Sequence, residues 1–213
     1  KQFLPATESW FRKTFGEPTK IQREAWPAIA DGKHVLVSAP TGTGKTLSAF
    51  LVFIDQLGGL AERGELKEEL YVIYVSPLKS LAGDIRENLR KPLEGIGAEA
   101  PGESKAESRP GNPFIGQIQA AIRTGDTPQK ERQRMVKHPP HILIITPESL
   151  YLMLTSKSGR QVLKTAKAII LDELHALIDT KRGAHLMLSV ARLDKLCGRR
   201  LQRIGLSATI EPL

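Results

Sequence analysis

The sequence predicts an α/β domain in which helices sandwich a parallel β-sheet. Short apolar runs rich in β-branched residues recur along the chain, and longer amphipathic segments separate them. Parallel strands need long crossover connections, usually helices, so this alternation favours a parallel sheet with both faces covered. In addition, each polar motif described below follows directly after one of the apolar runs. That placement is typical of such sheets, because their ligands bind at the carboxyl ends of the strands.

The predicted strands are mostly continuous apolar runs, as expected for strands buried on both faces. They are His34–Ser38, Tyr71–Ser76, Gln117–Arg123, His141–Thr146, Ala168–Asp172 and Arg203–Ser207. The segments between them have amphipathic helical spacing. These predicted helices are Lys45–Leu57, Leu78–Ile96, Pro128–Lys137, Glu148–Leu154 and Ala184–Leu196. Strand and helix therefore alternate in the order that right-handed crossovers require.

Two further amphipathic helices, Ala6–Phe15 and Lys20–Ala30, precede the first strand. We interpret residues 1–30 as an N-terminal helical extension and residues 31–213 as the main domain. The polar stretch Glu62–Glu69 predicts a solvated connection. The stretch Glu99–Asn112 is rich in Pro, Gly, Ser and charge and predicts a mobile surface insertion.

Composition excludes several classes of protein. Of the 213 residues 40% are hydrophobic, a fraction typical of a globular domain rather than a disordered chain. No apolar run approaches the roughly 18 residues of a transmembrane helix. The single cysteine, Cys197, excludes an internal disulfide and a cysteine-based zinc cluster. We expect a reducing, cytoplasmic location, and the net charge of +8 favours an anionic partner such as nucleic acid.

A phosphate-binding loop is predicted between the first strand and the helix that follows it. Residues 39–46 read APTGTGKT, and glycines in such a loop allow main-chain N–H groups to converge on phosphates. A lysine here can reach the β- and γ-phosphates, and a hydroxyl can ligate Mg²⁺. The usual pattern begins with Gly, where this sequence has Ala39. The predicted nucleotide-binding residues are Thr41, Gly42, Thr43, Gly44, Lys45 and Thr46.

An acidic pair follows the fifth predicted strand. Asp172 could hold Mg²⁺ together with Thr46, and Glu173 could orient and deprotonate an attacking water. Asp and Glu are also common in the first turn of a helix, so the pair alone does not distinguish capping from chemistry. Its occurrence together with the phosphate loop predicts an ATP site with Lys45, Asp172 and Glu173 as catalytic residues.

With both motifs in place, the sequence resembles the superfamily 2 helicases. It is most similar to the large helicase-related (Lhr) family of DExH ATP-dependent helicases, over residues 3–213. Residues 172–175 (DELH) resemble the DExH box, residues 207–209 (SAT) the coupling motif, and residues 16–22 (GEPTKIQ) the adenine-reading Q motif. The resemblance implies a RecA-like P-loop NTPase fold, ATP and Mg²⁺ as cofactors, and a role in DNA repair.

The resemblance also implies roles for individual residues. Gln22 would pair with the adenine edge, and Phe15 or Phe3 could pack beside the base, although a core position is equally open for each. His175 would join the catalytic residues and link the nucleotide site to the coupling residues Ser207, Ala208 and Thr209. A partly buried structural histidine is the alternative.

Three further segments resemble the strand-binding motifs of the family, and each follows a predicted strand. The implied nucleic-acid contacts are Pro77, Lys79, Thr124, Gly125, Thr146, Pro147 and Glu148. Helix starts offer free N–H groups to phosphates. Ordinary capping is the alternative, with Thr127 and Thr146 as N-caps and Pro128 and Pro147 in the first turns. The stretch 179–186 (DTKRGAHL) resembles one typical of the large helicase-related family. Its Lys181 and Arg182 could approach nucleic acid or form a solvated turn.

The predicted function is that of the ATP-binding motor half of a helicase that moves along single-stranded nucleic acid. The resemblance favours DNA and 3′-to-5′ travel, with RNA or an RNA–DNA hybrid open. Because the chain starts at Lys1 and stops just past the coupling motif, we expect a second RecA-like domain elsewhere in a longer protein. The 213-residue piece alone should then hydrolyse ATP weakly. The alternatives are an ATPase that remodels protein or ribonucleoprotein complexes and a catalytically silent binding scaffold. No membrane association is expected.

Overall fold

A six-stranded parallel sheet forms the centre of the protein. The structure, a computed structural model, describes residues 2–40, 44–77, 79–99 and 117–208. The strands are β1 (Val35–Ser38), β2 (Val72–Val75), β3 (Ala120–Arg123), β4 (Ile142–Ile145), β5 (Ala168–Leu171) and β6 (Gln202–Ser207). Their order across the sheet is β1-β6-β5-β2-β4-β3, and every neighbouring pair is parallel. The prediction of a parallel sheet is therefore confirmed.

Eight α-helices flank the sheet in the described part of the chain. They are α1 (Pro5–Phe15), α2 (Lys20–Ala30), α3 (Lys45–Glu62), α4 (Lys79–Glu99), α5 (Gln129–Lys137), α6 (Pro147–Thr155), α7 (Lys157–Leu163) and α8 (Lys181–Cys197). In these residues no helix combines the length and the apolar character that crossing a bilayer requires. Except for Glu99, the predicted insertion Glu99–Asn112 lies outside the described residues.

Capping explains where the helices differ from the sequence-based expectation. The helix α7 was not predicted; it is short and begins after Ser156, whose hydroxyl accepts the N–H of Gly159 at 3.1 Å. The helix α8 begins three residues earlier than predicted, because Thr180 caps it in the same way at 2.9 Å. The helix α5 begins at Gln129, so Pro128 is its N-cap rather than a first-turn residue.

The sheet separates two apolar cores. One core packs α1 to α4 against one face of the sheet and includes the fully buried Phe50 and Ile54 of α3. The other packs α5 to α8 against the opposite face, with Leu150 of α6 and Val190 of α8 fully buried. Because successive strand residues point to opposite faces, β2 contributes Tyr74 to the first core and Ile73 to the second. Helices thus cover both faces, as the sequence predicts.

The helices of the predicted N-terminal extension pack into the first core. The Trp26 ring of α2 lies edge-on to Phe3 and Phe11, with centroids 4.8 and 5.1 Å apart. The Trp10 ring of α1 lies directly over Gly95 of α4, where a Cβ atom would lie 2.0 Å from Trp10 Nε1. A glycine at this position is therefore what allows α1 and α4 to approach each other.

We expect Gly95→Ala to lower the free energy of unfolding by about 1–3 kcal/mol, because the new methyl group overlaps the Trp10 ring. Gly97→Ala on the same helix is the matched control, since a Cβ at that position meets nothing within 4 Å. The control should leave stability unchanged or raise it by about 0.4–1 kcal/mol. Thermal or urea unfolding measures both. Equal stabilities for the two variants would show that Trp10 does not pack on α4.

Candidate active site

The carboxyl ends of all six strands lie along one edge of the sheet, because all six are parallel. At β1, β6 and β5 this edge carries the phosphate loop, Ser207 and Asp172. At β2, β4 and β3 it carries the three segments that resemble strand-binding motifs. The order of the strands thus divides the predicted residues into a nucleotide half and a nucleic-acid half of the same edge.

A cleft of about 390 Å³ lies at the nucleotide half. It brings Gly44, Lys45 and Thr46 of the phosphate loop together with Asp172 and Glu173. Its other lining residues come from α1, α3 and α4 and are Trp10, Thr14, Phe15, Leu47, Lys91 and Pro92. This volume lies in the range typical of small-molecule sites. Three predicted phosphate-binding residues, Thr41, Gly42 and Thr43, lie outside the described residues.

Gly44 and Lys45 form the start of α3. Gly44 is the N-cap residue and has φ +80°, a left-handed conformation that glycine adopts without steric cost. Lys45 is only 8% exposed, and its ammonium donates to the carbonyl oxygens of Ala39 and, at 2.9 Å, Pro40. Main-chain carbonyls at the loop therefore hold the Lys45 ammonium in place inside the cleft.

Asp172 is a buried carboxylate with fixed orientation. It is 6% exposed. The Tyr74 hydroxyl donates to Oδ2, and the Glu173 main-chain N–H donates to Oδ1 at 2.9 Å. Burial raises the pKa of the Asp172 carboxyl above its usual value, because the charged form is desolvated. Mg²⁺ prefers oxygen ligands, and a desolvated carboxylate that shares a cleft with a threonine hydroxyl fits this cation.

Glu173 adopts a left-handed backbone conformation, with φ 52° and ψ 41°, which is uncommon for residues other than glycine. A short 3₁₀ turn at Leu174–Ala176 follows it, and the Ala176 N–H donates to the Glu173 carbonyl at 2.9 Å. The Glu173 side chain lines the cleft, where its Oε2 lies 3.1 Å from His175 Nε2. Both carboxylates of the pair, Asp172 and Glu173, line this cleft.

His175 joins the end of β5 to the end of β6. Its Nδ1 accepts the main-chain N–H of Ala208 at 3.0 Å and lies 3.5 Å from the Ser207 hydroxyl. The opposite nitrogen, Nε2, faces Glu173. The imidazole therefore contacts both the acidic pair and the predicted coupling segment. Thr209, the third coupling residue, lies outside the described residues.

The predicted adenine-binding residues differ in their placement. Gln22 is 4% exposed and completes a capping box with Thr19. The Gln22 side-chain Oε1 accepts the main-chain N–H of Thr19 at 3.0 Å, and the main-chain N–H of Gln22 donates to Thr19 Oγ1 at 3.2 Å. Its Nε2 approaches Gly44, so Gln22 borders the phosphate loop. Phe15 is 54% exposed and lines the cleft, whereas Phe3 is buried against Trp26. Of the two phenylalanines, Phe15 is the one at the cleft.

At the nucleic-acid half, the side chains of two predicted contacts are used inside the protein. The Thr124 hydroxyl accepts the N–H of Asp126 at 3.3 Å, and the Thr146 hydroxyl donates to Ser149 at 3.0 Å. Pro77, Thr124, Thr146 and Pro147 are buried, whereas Gly125 is exposed. Lys79 begins α4, but its side chain lies outside the described part. If these segments contact a nucleic-acid strand, they would therefore use main-chain groups more than side-chain hydroxyls.

Glu148, the remaining predicted contact, is paired with an arginine. Arg182 donates two hydrogen bonds to its carboxylate, at 2.6 and 3.1 Å. These bonds lower the pKa of Glu148. The pair joins the first turn of α6 to the first turn of α8, so it connects the segment after β4 to the stretch 179–186. Arg182 therefore compensates the negative charge of Glu148 at this edge of the sheet.

Two residues at this edge were missed by the sequence reasoning. Tyr74 holds Asp172, and Arg132 donates to the carbonyls of Gly125 and Thr127 at 2.6 Å each, which fixes the loop after β3. The signal for Tyr74 was available, because one hydroxyl in an otherwise aliphatic buried strand needs a hydrogen-bond partner. Arg132 had no such signal in the sequence, since exposed and structural arginines on a helix look alike.

Comparison with known proteins identifies the family. The DEAD/DEAH box helicase family matches residues 19–213. The chain is 49% identical, over 98% of its length, to the ATP-dependent helicase Lhr-Core of Methanothermobacter thermautotrophicus, of which it covers 23%. It is 47% identical, again over 98%, to the Lhr helicase/uracil glycosylase of Escherichia coli, of which it covers 13%.

A solved structure indicates the same family as these sequence relatives. The Mycobacterium smegmatis helicase Lhr bound to ssDNA and AMP-PNP superposes with a TM-score of 0.85 and 48% identity, over 99% of this chain and 25% of that one. The chain thus spans a quarter or less of the length of these relatives. The RecA-like helicase fold and the similarity to large helicase-related proteins are confirmed. The chain belongs to the DEAD/DEAH box helicase family.

Proposed function

We propose that the protein is an ATP-driven helicase motor that moves along single-stranded nucleic acid and unwinds duplexes. The observation that carries this proposal is the single cleft that brings Lys45, Thr46, Asp172 and Glu173 together. These residues come from two chain segments more than 120 positions apart, and each contributes a group that phosphoryl transfer to water requires.

The positions of the residues support the role that we propose for each of them. Lys45 supplies a buried positive charge for the phosphates of ATP, beside the main-chain N–H groups at the start of α3. Thr46 and Asp172 would hold Mg²⁺, which neutralises the phosphate charge when it is bound. Glu173 orients the attacking water and accepts its proton, because its carboxylate lines the same cleft.

His175 would couple hydrolysis to strand movement. Its imidazole bridges Glu173 and the Ser207–Ala208 segment. A change in the position of Glu173 during the reaction therefore moves His175, which is hydrogen-bonded to the coupling segment. This is a direct physical connection between the nucleotide half and the end of β6.

Single-stranded DNA is the substrate we favour, with 3′-to-5′ travel, and RNA or an RNA–DNA hybrid is the alternative. The M. smegmatis relative was solved with ssDNA and AMP-PNP. Contacts from main-chain groups to phosphates do not by themselves discriminate DNA from RNA, because the two sugar–phosphate backbones differ only in the 2′-OH. We further propose a cytoplasmic protein in which a second RecA-like domain supplies an arginine finger. That finger contributes about 10³–10⁵ in rate, so the 213-residue chain alone should hydrolyse ATP weakly.

The decisive experiment measures ATP hydrolysis by the full-length protein with single-stranded DNA, with single-stranded RNA and with neither. We expect stimulation by nucleic acid, with DNA the stronger activator. A stimulated ATPase that RNA activates better would reverse the substrate preference. ATP hydrolysis that neither polymer stimulates would favour the alternative function, an ATPase that remodels protein complexes.

Arg123 provides a specific prediction about strand binding. Its half-buried side chain shares a cleft with Arg132 beside the loop after β3, and no Asp or Glu is among the described residues that line that cleft. Burial and the nearby Arg132 charge lower the pKa of Arg123, and no described residue lining that cleft supplies a negative charge to it. An arginine in this situation favours a phosphate as its partner.

We therefore expect Arg123→Gln to weaken single-stranded DNA binding about tenfold. The slope of log affinity against log salt should fall by about 0.7, the value for one lost phosphate contact on a single strand. Arg134→Gln on the exposed side of α5 is the control with the same change in charge. Fluorescence anisotropy at several salt concentrations measures both. Equal effects of the two variants would mean that only net charge matters.

A further inference from the structure

Tyr74 is the largest fully buried side chain in the described part of the chain. It lies near the carboxyl end of the central strand β2, in register with Ile144 of β4 and Ile170 of β5. The other residues of β2 are aliphatic. A buried hydroxyl loses its hydrogen bonds to water and destabilises the protein unless a partner replaces them. The Tyr74 hydroxyl therefore needs a hydrogen-bond partner inside the protein.

The Tyr74 hydroxyl lies between the two residues predicted to hold Mg²⁺. It donates to Asp172 Oδ2, and the Thr46 side chain lies beside the same hydroxyl. A phenol is protonated at neutral pH, so the Tyr74 hydroxyl is a hydrogen-bond donor to the carboxylate. With Oδ1 held by the Glu173 N–H, both oxygens of Asp172 are oriented by the protein.

The Tyr74 ring connects the hydroxyl to the helix of the phosphate loop. It stacks on Phe50, with ring centroids 4.8 Å apart and an interplanar angle of 17°. Phe50 is fully buried on α3, one helical turn after Thr46. Stacked aromatic rings have a preferred geometry, so the pair fixes α3 relative to β2. Since β2 also pairs with β5, the same side chain relates Thr46 to Asp172.

We propose that Tyr74 is a positioning residue for the ATPase site: its hydroxyl aims the Asp172 carboxylate, and its ring holds the Thr46 end of α3 at the matching position. The inference rests on the proposed function, because it assigns Asp172 and Thr46 to Mg²⁺. Partners that orient metal ligands in this way change metal affinity or activity about 10–100-fold when they are removed.

Tyr74→Phe in the full-length protein tests the hydroxyl alone, because the ring, its volume and its stacking on Phe50 are kept. The measurement is binding of a fluorescent ATP analogue as a function of Mg²⁺ concentration. We expect the Mg²⁺ midpoint to rise about 10–100-fold, with binding in the absence of Mg²⁺ unchanged. Turnover at low Mg²⁺ should fall, and saturating Mg²⁺ should restore most of it.

Tyr71→Phe is the matched control. Tyr71 is also buried and directly precedes β2, but its hydroxyl accepts the Lys67 N–H at 3.1 Å, away from the cleft. This variant should keep the wild-type Mg²⁺ midpoint. The inference is overturned if Tyr74→Phe also keeps that midpoint, or if Tyr71→Phe shifts it equally.

Asp172→Asn separates this inference from the proposed function. If Asp172→Asn leaves the Mg²⁺ dependence unchanged, the proposed metal ligand is wrong and both fail. If it abolishes the dependence while Tyr74→Phe behaves as wild type, only the positioning role fails. Should Tyr74→Phe not fold, Phe50→Leu removes the stacking partner and keeps the hydroxyl. A Mg²⁺ midpoint raised in Phe50→Leu then supports the inference, and an unchanged midpoint overturns it.

Discussion

Replacing Glu173 with glutamine is expected to lower ATP turnover by about 10²–10⁴-fold, the usual contribution of a general base. Glutamine keeps the size of the side chain and can still hydrogen-bond His175. It cannot accept a proton from water. The backbone at position 173 is held by its own N–H, which donates to the Asp172 carboxylate, and by its carbonyl, which accepts the Ala176 N–H. Because neither bond involves the Glu173 side chain, the fold should not change. Steady-state ATPase assays of the full-length protein with single-stranded DNA measure the effect.

The binding of nucleotide separates this effect from a loss of structure. Glu173→Gln should bind an ATP analogue with wild-type affinity, because neither Lys45 nor Asp172 is altered. Glu131→Gln, an exposed position in the first turn of α5, is the control with the same chemical change and should hydrolyse ATP normally. Turnover of Glu173→Gln within a few-fold of wild type would remove Glu173 from the mechanism.

Replacing Lys45 with alanine is expected to lower turnover by about 10²–10³-fold, the cost of removing one preorganised charged donor. This variant differs from Glu173→Gln in that nucleotide affinity should also fall. The reason is that Lys45 is the buried cation of the cleft. Its loss also removes the hydrogen bonds from Lys45 to the carbonyls of Ala39 and Pro40, which should loosen the start of the phosphate loop.

Lys91 offers a matched control for charge. It lines the same cleft from α4 but is exposed. Lys91→Ala should change nucleotide affinity little, since an exposed charge interacts weakly through water. Titration with a fluorescent ATP analogue compares the two variants. Equal losses of affinity would mean that the cleft binds phosphate by general positive charge rather than by the lysine of the loop.

The sequence predicted the sheet well because its strands are marked by local patterns. All six strands were found, with ends within three residues of those observed. The helix α7 was missed, because seven residues that include Gly159 show too little amphipathic spacing. The start of α8 was placed late, since the capping bond of Thr180 to Gly183 precedes the first apolar position of the helix.

The sequence by itself determined the phosphate loop, the acidic pair and their places at strand ends, because each motif is a short run whose chemistry depends on neighbouring residues. The tertiary structure decided which of these runs meet. In the folded protein the Tyr74 hydroxyl lies between Thr46 and Asp172, and Arg182 pairs with Glu148. The hydroxyls of Thr124 and Thr146 form hydrogen bonds within the protein. These contacts join residues on different strands and helices, and only the order and packing of the elements fix their distances.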